Sequence, residues 1–370
     1  MCTMSEDALR TRLCEEYGCE YPIVAFCHTK EVVAAVTNAG GIGVLGTTQL
    51  KKDEFRRDVR WIRDRVGDRP WGIDTLLPAT FQEGNVEDLE GMIPQGHRDF
   101  VERMQHDNEI PDPSSPPPWQ PSVGADLLQR ARDHIDVTLE ERVPIFASGL
   151  GNPAVILERA HEVGTKVWGL IGMTRQARRE LEAGVDLIIA QGGDSGGHSG
   201  RIGTFSLVPA VARMAREYDT PVLAAGGVTR GEHLVAALAL GAVGVWAGTI
   251  WQATTESHID RYLKEKLVSA ATEDSTKSRA LTGKPAARLR SKMIDAWEQP
   301  DAPEPLGMPL QPMLMAKIMQ AVDDHRVEEF MNVAAGQGVG LIDEIRPAAR
   351  VVDDMVAEAR AILEGEPLPA

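Results

Sequence analysis

The chain predicts an α/β fold: a (β/α)₈ barrel of the TIM type, with an insertion after the third strand and a C-terminal helical segment. Three observations lead there. Short runs that are apolar at nearly every position, such as residues 185–190, read as strands covered on both faces, as in a parallel sheet. These runs alternate with amphipathic helices, and counting from Ile23 gives eight of them in βα order. Two consecutive late runs end in Gly226-Gly227 and Gly248-Thr249, small residues that suit the ligand-facing ends of barrel strands.

Taken in order, residues 1–20 are polar and predict a short helix leading into a first strand at 21–26. A helix over 30–38, apolar at Val32, Val33, Ala35 and Val36, stops at Asn38-Ala39-Gly40-Gly41, and a second strand follows at 42–46. A charged helix at 51–66 precedes a third strand at 71–77, interrupted by Asp74. An acid there is either a satisfied structural hydrogen-bonder or a residue facing a ligand.

Between 81 and 135 the alternation breaks. A proline run, Pro111 to Trp119, lies between helical patches at 100–104 and 127–135, and the whole reads as an insertion, a lid or a stiff linker. Regularity returns with strands at 143–147, 167–171, 185–190, 221–227 and 243–249, separated by helices ending near Ala160, Ala183, Arg216 and Leu240. The barrel thus takes residues 1–255 and 335–370, and 256–334 reads as a charged helical segment packing near the active site. The methionines between 308 and 319 fit a core or a subunit contact, which leaves a homodimer open.

Composition excludes several classes. The chain of 370 residues carries a formal net charge of −16, which disfavours nucleic acid and anionic membrane as partners. No apolar run approaches the length of a membrane span, and no signal-peptide order opens the chain, so a cytoplasmic protein is expected. Cys2, Cys14, Cys19 and Cys27 form no CxxC pair and read as reduced thiols. No His, Asp or Glu pair sits at metal-ligand spacing on a helix, so no metal site is expected.

The chemistry concentrates after the strand at 185–190, in Gln191-Gly192-Gly193-Asp194-Ser195-Gly196-Gly197-His198. Glycines remove Cβ atoms from this loop, so a flat ligand can lie against the backbone. His198 is the side chain there that exchanges protons near neutral pH, hence a candidate acid or base; the alternative is a solvated histidine in a flexible turn. Gly226-Gly227 and Gly248-Thr249 form a candidate phosphate cup from backbone N–H groups, a hydroxyl and the N-terminus of the following helix.

With these motifs in hand, the chain resembles the nitronate monooxygenase family, formerly the 2-nitropropane dioxygenases, which are FMN-dependent (β/α)₈ barrels. Asn38-Ala39-Gly40-Gly41-Ile42-Gly43 is similar to the family's NAGG-[LI]-G turn, and Gln191 to His198 to its Q-G-x-E-[AS]-G-G-H segment. Ala224 to Gly227, Gly248-Thr249, Thr282-Gly283-Lys284-Pro285-Ala286 and Ala335-Gly336-Gln337 match later segments.

The resemblance implies FMN as cofactor and oxidation of alkyl nitronates by O2 to a carbonyl compound and nitrite. His198 would be the base or the hydrogen-bond donor to the nitronate. Gly226, Gly227, Gly248 and Thr249 would hold the FMN phosphate, with Gln191 and Gly196 on the isoalloxazine or ribityl chain. Ala25, Phe26 and Cys27 would pass under the ring, and Asp74 would stand near it. His28 and Ser195 are candidates for the substrate side. The chain departs from the family pattern at Ala25-Phe26-Cys27-His28, where A-P-M is usual. Asp74 replaces an asparagine, Asp194 replaces a glutamate, and the 81–135 stretch is long. Two alternatives stand beside this reading: an FMN-dependent NAD(P)H reductase of an enoyl thioester or quinone, whose E-S-G-G-H segment is close to Asp194–His198, and a non-catalytic flavin-binding protein.

Overall fold

A computed structural model describes residues 8–48, 50–77, 86–115, 125–149 and 151–366. Eight parallel strands close a barrel: β1 (Ile23–Cys27), β2 (Ile42–Gly46), β3 (Trp71–Leu76), β4 (Ile145–Gly149), β5 (Lys166–Ile171), β6 (Leu187–Gln191), β8 (Val222–Ala225) and β9 (Gly244–Ala247). β9 returns to pair with β1, matching Ile23 to Val245 and Ala25 to Ala247. The expected (β/α)₈ barrel is the fold observed.

Alternation along each strand explains the continuous apolar runs. One set of side chains, including Val24, Val44, Ala147, Trp168, Ile189, Leu223 and Trp246, fills the barrel interior. The intervening set, including Ala25, Leu45, Ile73, Phe146, Ile188 and Val245, packs outward against the helices. The N-terminal helix Arg12–Tyr17 plugs the barrel bottom, with Leu13 in the interior core and the Tyr17 hydroxyl accepting from Trp168 Nε1 at 2.9 Å. The last helix, Ala348–Glu364, packs between helices Gly231–Ala239 and Lys30–Asn38 and completes the outer ring.

The stretch expected as one insertion divides in two. Helix Ala125–Glu140 belongs to the barrel ring, packed on helix Lys52–Val66 and on β3. Its His134 is buried; Nε2 donates to the Leu50 carbonyl at 2.9 Å, which leaves Nδ1 to accept from Thr75 at 2.9 Å. Helices Val86–Gly91 and Gln95–Asp107 instead pack on helix Leu310–Asp324, and Phe100, Met104, Met293, Trp297, Met315 and Ile318 share a second core. The methionine-rich helix therefore serves this core. Pro116 to Trp119, the end of the proline run, lies outside the described residues.

The segment after Thr255, expected to be helical, also contains a hairpin. β10 (Ser275–Ser278) and β11 (Ala286–Leu289) pair antiparallel, and β11 pairs in turn with a two-residue strand, β7 (Gly197–His198). Ser275-Thr276-Lys277-Ser278 has no apolar alternation to announce a strand. Its partner β11 follows a turn at Gly283, where φ is +74°, and β11 finds its other partner in a loop nearly ninety positions earlier in the chain.

One buried acid sets a pH dependence. Glu180, on helix Thr174–Ala183, lies against Gly169 of β5; its Oε2 has no hydrogen-bond partner, and burial pushes its carboxyl up to about 8. A raised carboxyl pKa means that the folded state holds a proton that the unfolded chain has released. Stability is therefore lost as pH rises from the ordinary glutamate value to about 8, by on the order of 5 kcal/mol. Asp74, pushed by burial up to about 7, acts in the same direction over a narrower window. Glu180→Gln is expected to flatten most of the fall in urea midpoint between pH 6 and pH 9. An unchanged slope would show that Glu180 finds water or a partner in the fold.

Candidate active site

The C-terminal ends of β1, β6, β8 and β9 open into one cleft, with about 930 Å³ of space unfilled by protein, counting its open mouth. Phe26 points inward from β1 and stacks on Trp246 of β9, ring centroids 5.7 Å apart and planes at 19°. Beyond Phe26, Cys27, His28 and Thr29 continue along the cleft wall. Burial pushes the Cys27 thiol up to about 12, so it stays protonated at neutral pH, and its Sγ donates to the Thr29 carbonyl at 3.3 Å. His28 donates through Nδ1 to the Gly46 carbonyl at 3.0 Å; burial lowers its pKa, against the raising effect of that bond, and keeps the ring neutral.

The loop after β6 is braced from inside. The Asp194 carboxylate accepts from the backbone N–H of Thr204 at 2.7 Å and so caps helix Thr204–Ala215. Ser195 donates its hydroxyl to the Gly192 carbonyl at 2.8 Å. The turn at Gly336 presses on this loop so closely that a Cβ on Gly336 would stand 2.6 Å from the Asp194 carbonyl oxygen. That turn also ties to β9, since the Gly336 N–H donates to the Thr249 hydroxyl at 3.0 Å.

The phosphate-cup residues come together. Gly226 and Gly227 adopt φ of +109° and +74°, left-handed values that L side chains rarely take, and both line the cleft with Gly248 and Thr249. The backbone N–H groups of Gly227 and Val228 have no acceptor among the described residues. Beside them the hydroxyl of Thr229, a residue of the cleft lining, is buried without a partner among the described residues. One part of the expected cup is already filled: the N–H of Gly231, which opens the following helix, donates to the Glu358 carboxylate at 2.6 Å. What the expected cup retains is the backbone at 227–228, the hydroxyls of Thr229 and Thr249, and Gly248, without that helix end.

Other expected residues take different stations. Gln191, Ser195 and Gly196 line the cleft. Ala25 turns its side chain outward into the helix-facing core, so only its backbone borders the inner wall. Asp74 projects into the barrel between Gly46 and Ala147 in register, and is not among the residues lining the cleft. His198 stands at the rim, outside the lining; it sits in β7 opposite Ala286, held in a ladder where a free glycine loop was expected. Its Nδ1 donates to the Pro285 carbonyl at 3.1 Å, so the lone pair falls to Nε2. Burial lowers its pKa, the Pro285 bond opposes that, and the charges of Lys284 and Arg288 lower it further.

Sequence reasoning missed Thr29, Thr229, Trp246, Gln252, Ala334 and Gly338 as lining residues. Trp246 and Thr229 had a local signal, being next to the Gly-Thr and Gly-Gly pairs. Ala334 and Gly338 flank the Ala335-Gly336-Gln337 segment, but only folding brings that segment to the cleft. Among the described residues no three His, Cys, Asp or Glu side chains are grouped to hold a metal ion, and no helix is long and apolar enough to cross a membrane.

Comparison with known proteins gives the chain its family. The family model described as nitronate monooxygenase matches residues 11–358. A Mycobacterium tuberculosis protein named as a monooxygenase is 40% identical over 363 residues, covering 95% of this chain and 96% of that one. Among solved structures, a nitroalkane oxidase from Streptomyces ansochromogenes superposes with a TM-score of 0.76 at 27% identity, covering 93% of this chain and 98% of its own. FabK from Thermotoga maritima superposes with a TM-score of 0.73 at 30% identity, covering 96% and 98%. The chain belongs to the nitronate monooxygenase family and is a flavin-dependent oxidoreductase whose family relationships point to the oxidation of nitro compounds.

Proposed function

We propose that this protein binds FMN in the cleft and oxidises alkyl nitronates with O2 to a carbonyl compound and nitrite, as a cytoplasmic enzyme acting on small molecules. The observation that carries the reading is the glycine cradle at the ends of β8 and β9, with the unpartnered, buried Thr229 hydroxyl beside it. Such a cradle suits a phosphate: Gly227, Val228 and Gly248 offer N–H groups, Thr229 and Thr249 offer hydroxyls, and no Cβ intrudes. The apolar wall of Phe26, Trp246 and Trp251 suits a flat ring system, with Gln191 and Gly196 along its edge.

The chemistry that bound FMN supplies is acceptance of the substrate's electrons and their transfer to O2. This chain's residues do the rest. His198, neutral with its lone pair on Nε2, takes the α-proton of a nitroalkane, and the Nε2–H so formed donates to the nitronate. Cys27, held as a thiol, contributes shape and no nucleophile. His28 and Ser195 border the substrate side of the cleft, the serine with its proton committed to Gly192.

A second reading, an NAD(P)H-dependent reductase of an enoyl thioester or quinone, is favoured by one feature, the Asp194–His198 run and its likeness to the corresponding segment of such reductases. An anaerobic absorption titration separates the two. Adding an alkyl nitronate alone is expected to bleach the flavin bands. Bleaching with NADPH or NADH only would assign the protein to the reductases, and a protein that takes up no FMN would exclude both readings.

A further inference from the structure

Residues along β11 alternate between two faces. Leu289 turns into the outer barrel core, whereas Ala286 and Arg288 share the opposite face with His198, which lies directly across the ladder from Ala286. Ala334 belongs to that same face, since it is bridged to Arg288 and lines the cleft. His198 and Arg288 thus share one face of this small sheet, two positions apart, beside the cleft that Ala334 lines and outside the lining itself.

Arg288 is half-buried there, and its Nε donates to Asn332 Oδ1. Among the described residues its two terminal nitrogens have no hydrogen-bond acceptor and no carboxylate in ion-pair contact. Asp323, in the last turn of helix Leu310–Asp324, acts on it only at longer range. Burial pushes the guanidinium down to about 10, so it remains charged at neutral pH. Neither terminal nitrogen is among the buried unpaired atoms, so the fork is open to solvent or to a ligand. With Nε pinned, the two free NH₂ groups form a fork that fits a planar anion with two oxygens.

We infer that Arg288, oriented by Asn332, is an anion-binding residue of the active-site mouth that takes a planar two-oxygen anion beside His198. It rests on the proposed function only for the identity of the physiological anion, a substrate nitronate or the departing nitrite. Its effect on specificity is to favour the anionic substrate form over the neutral one.

Isothermal titration of nitrite, and separately of acetate, into the flavin-loaded protein at neutral pH tests this without turnover. Arg288→Met is expected to weaken binding of both by roughly ten- to a hundred-fold. Arg288→Lys should fall between, because a lysine keeps the charge and loses the fork. Asn332→Ala should weaken binding less, by releasing the guanidinium from its pinned orientation. Equal affinity in the wild type and Arg288→Met, or no binding by the wild type, overturns the inference. Where Arg288→Met does not fold, the lysine and Asn332 variants decide the same comparison, with matched thermal melts as the folding control. A protein that binds nitrite through Arg288 yet oxidises no nitronate would refute the proposed function and leave this site standing.

Discussion

His198→Ala is expected to lower turnover of a neutral nitroalkane by about 10²- to 10⁴-fold, the range spanned by loss of a positioned base. The argument rests on the ladder. Because β7 pairs with Ala286 and Ala287, His198 is held by backbone bonds at the rim, and the Pro285 carbonyl can only accept, so Nδ1 carries the proton. Nε2 is then free to take a proton from carbon. The lowered pKa, from burial first and from the charges of Lys284 and Arg288, keeps the ring neutral at neutral pH. The rate should therefore hold across neutral pH and fall as pH drops through that lowered value and the ring becomes protonated. Steady-state kinetics with the same compound as nitroalkane and as preformed nitronate separates proton removal from positioning. A base predicts a much larger loss on the nitroalkane; an equal loss on both forms would reduce His198 to a positioning residue.

Gly226→Ala is expected to weaken flavin binding by about a hundred-fold, from two costs that act at one atom. At φ of +109° an alanine is strained by roughly 1–3 kcal/mol, and its Cβ would stand 2.6 Å from the Thr204 hydroxyl. That hydroxyl donates to the Gly226 carbonyl at 3.2 Å, so moving it also loosens the cup. Gly227→Ala is the internal comparison. It carries φ of +74°, but the nearest heavy atom to its added Cβ is Asp194 Cβ at 3.6 Å, so a smaller loss is expected. Fluorescence titration of apoprotein with FMN measures both. Wild-type affinity in the Gly226 variant would move the phosphate away from this cup.

Much of this was legible before folding, for a reason that recurs along the chain. The strand at Leu187–Gln191 and the cup residues at 226–227 and 248–249 are local signals: a run buried on both faces must be apolar throughout, and a backbone that meets a ligand must shed its Cβ atoms. Helix Ala125–Glu140 was assigned to the insertion because its apolar stripe is the same whichever core it faces. Its place on the barrel is decided by His134, which reaches Leu50 and Thr75. The hairpin at β10 and β11 was invisible because β10 is polar and only partly buried, and the buried alanines of β11 carry no strand signal of their own.

By itself, then, the sequence determined the barrel, its order of strands, the glycine-lined strand ends and the histidine segment, since each depends on short-range periodicity and backbone freedom. Tertiary structure alone decided which face His198 shares with Arg288 and that Glu358 fills the helix end after the cup. It also decided that Gly336 closes on Asp194 and that Thr229 is left without a partner. These relations join residues far apart in the chain, so they depend on which surfaces meet, and residue type and local spacing carry no record of that.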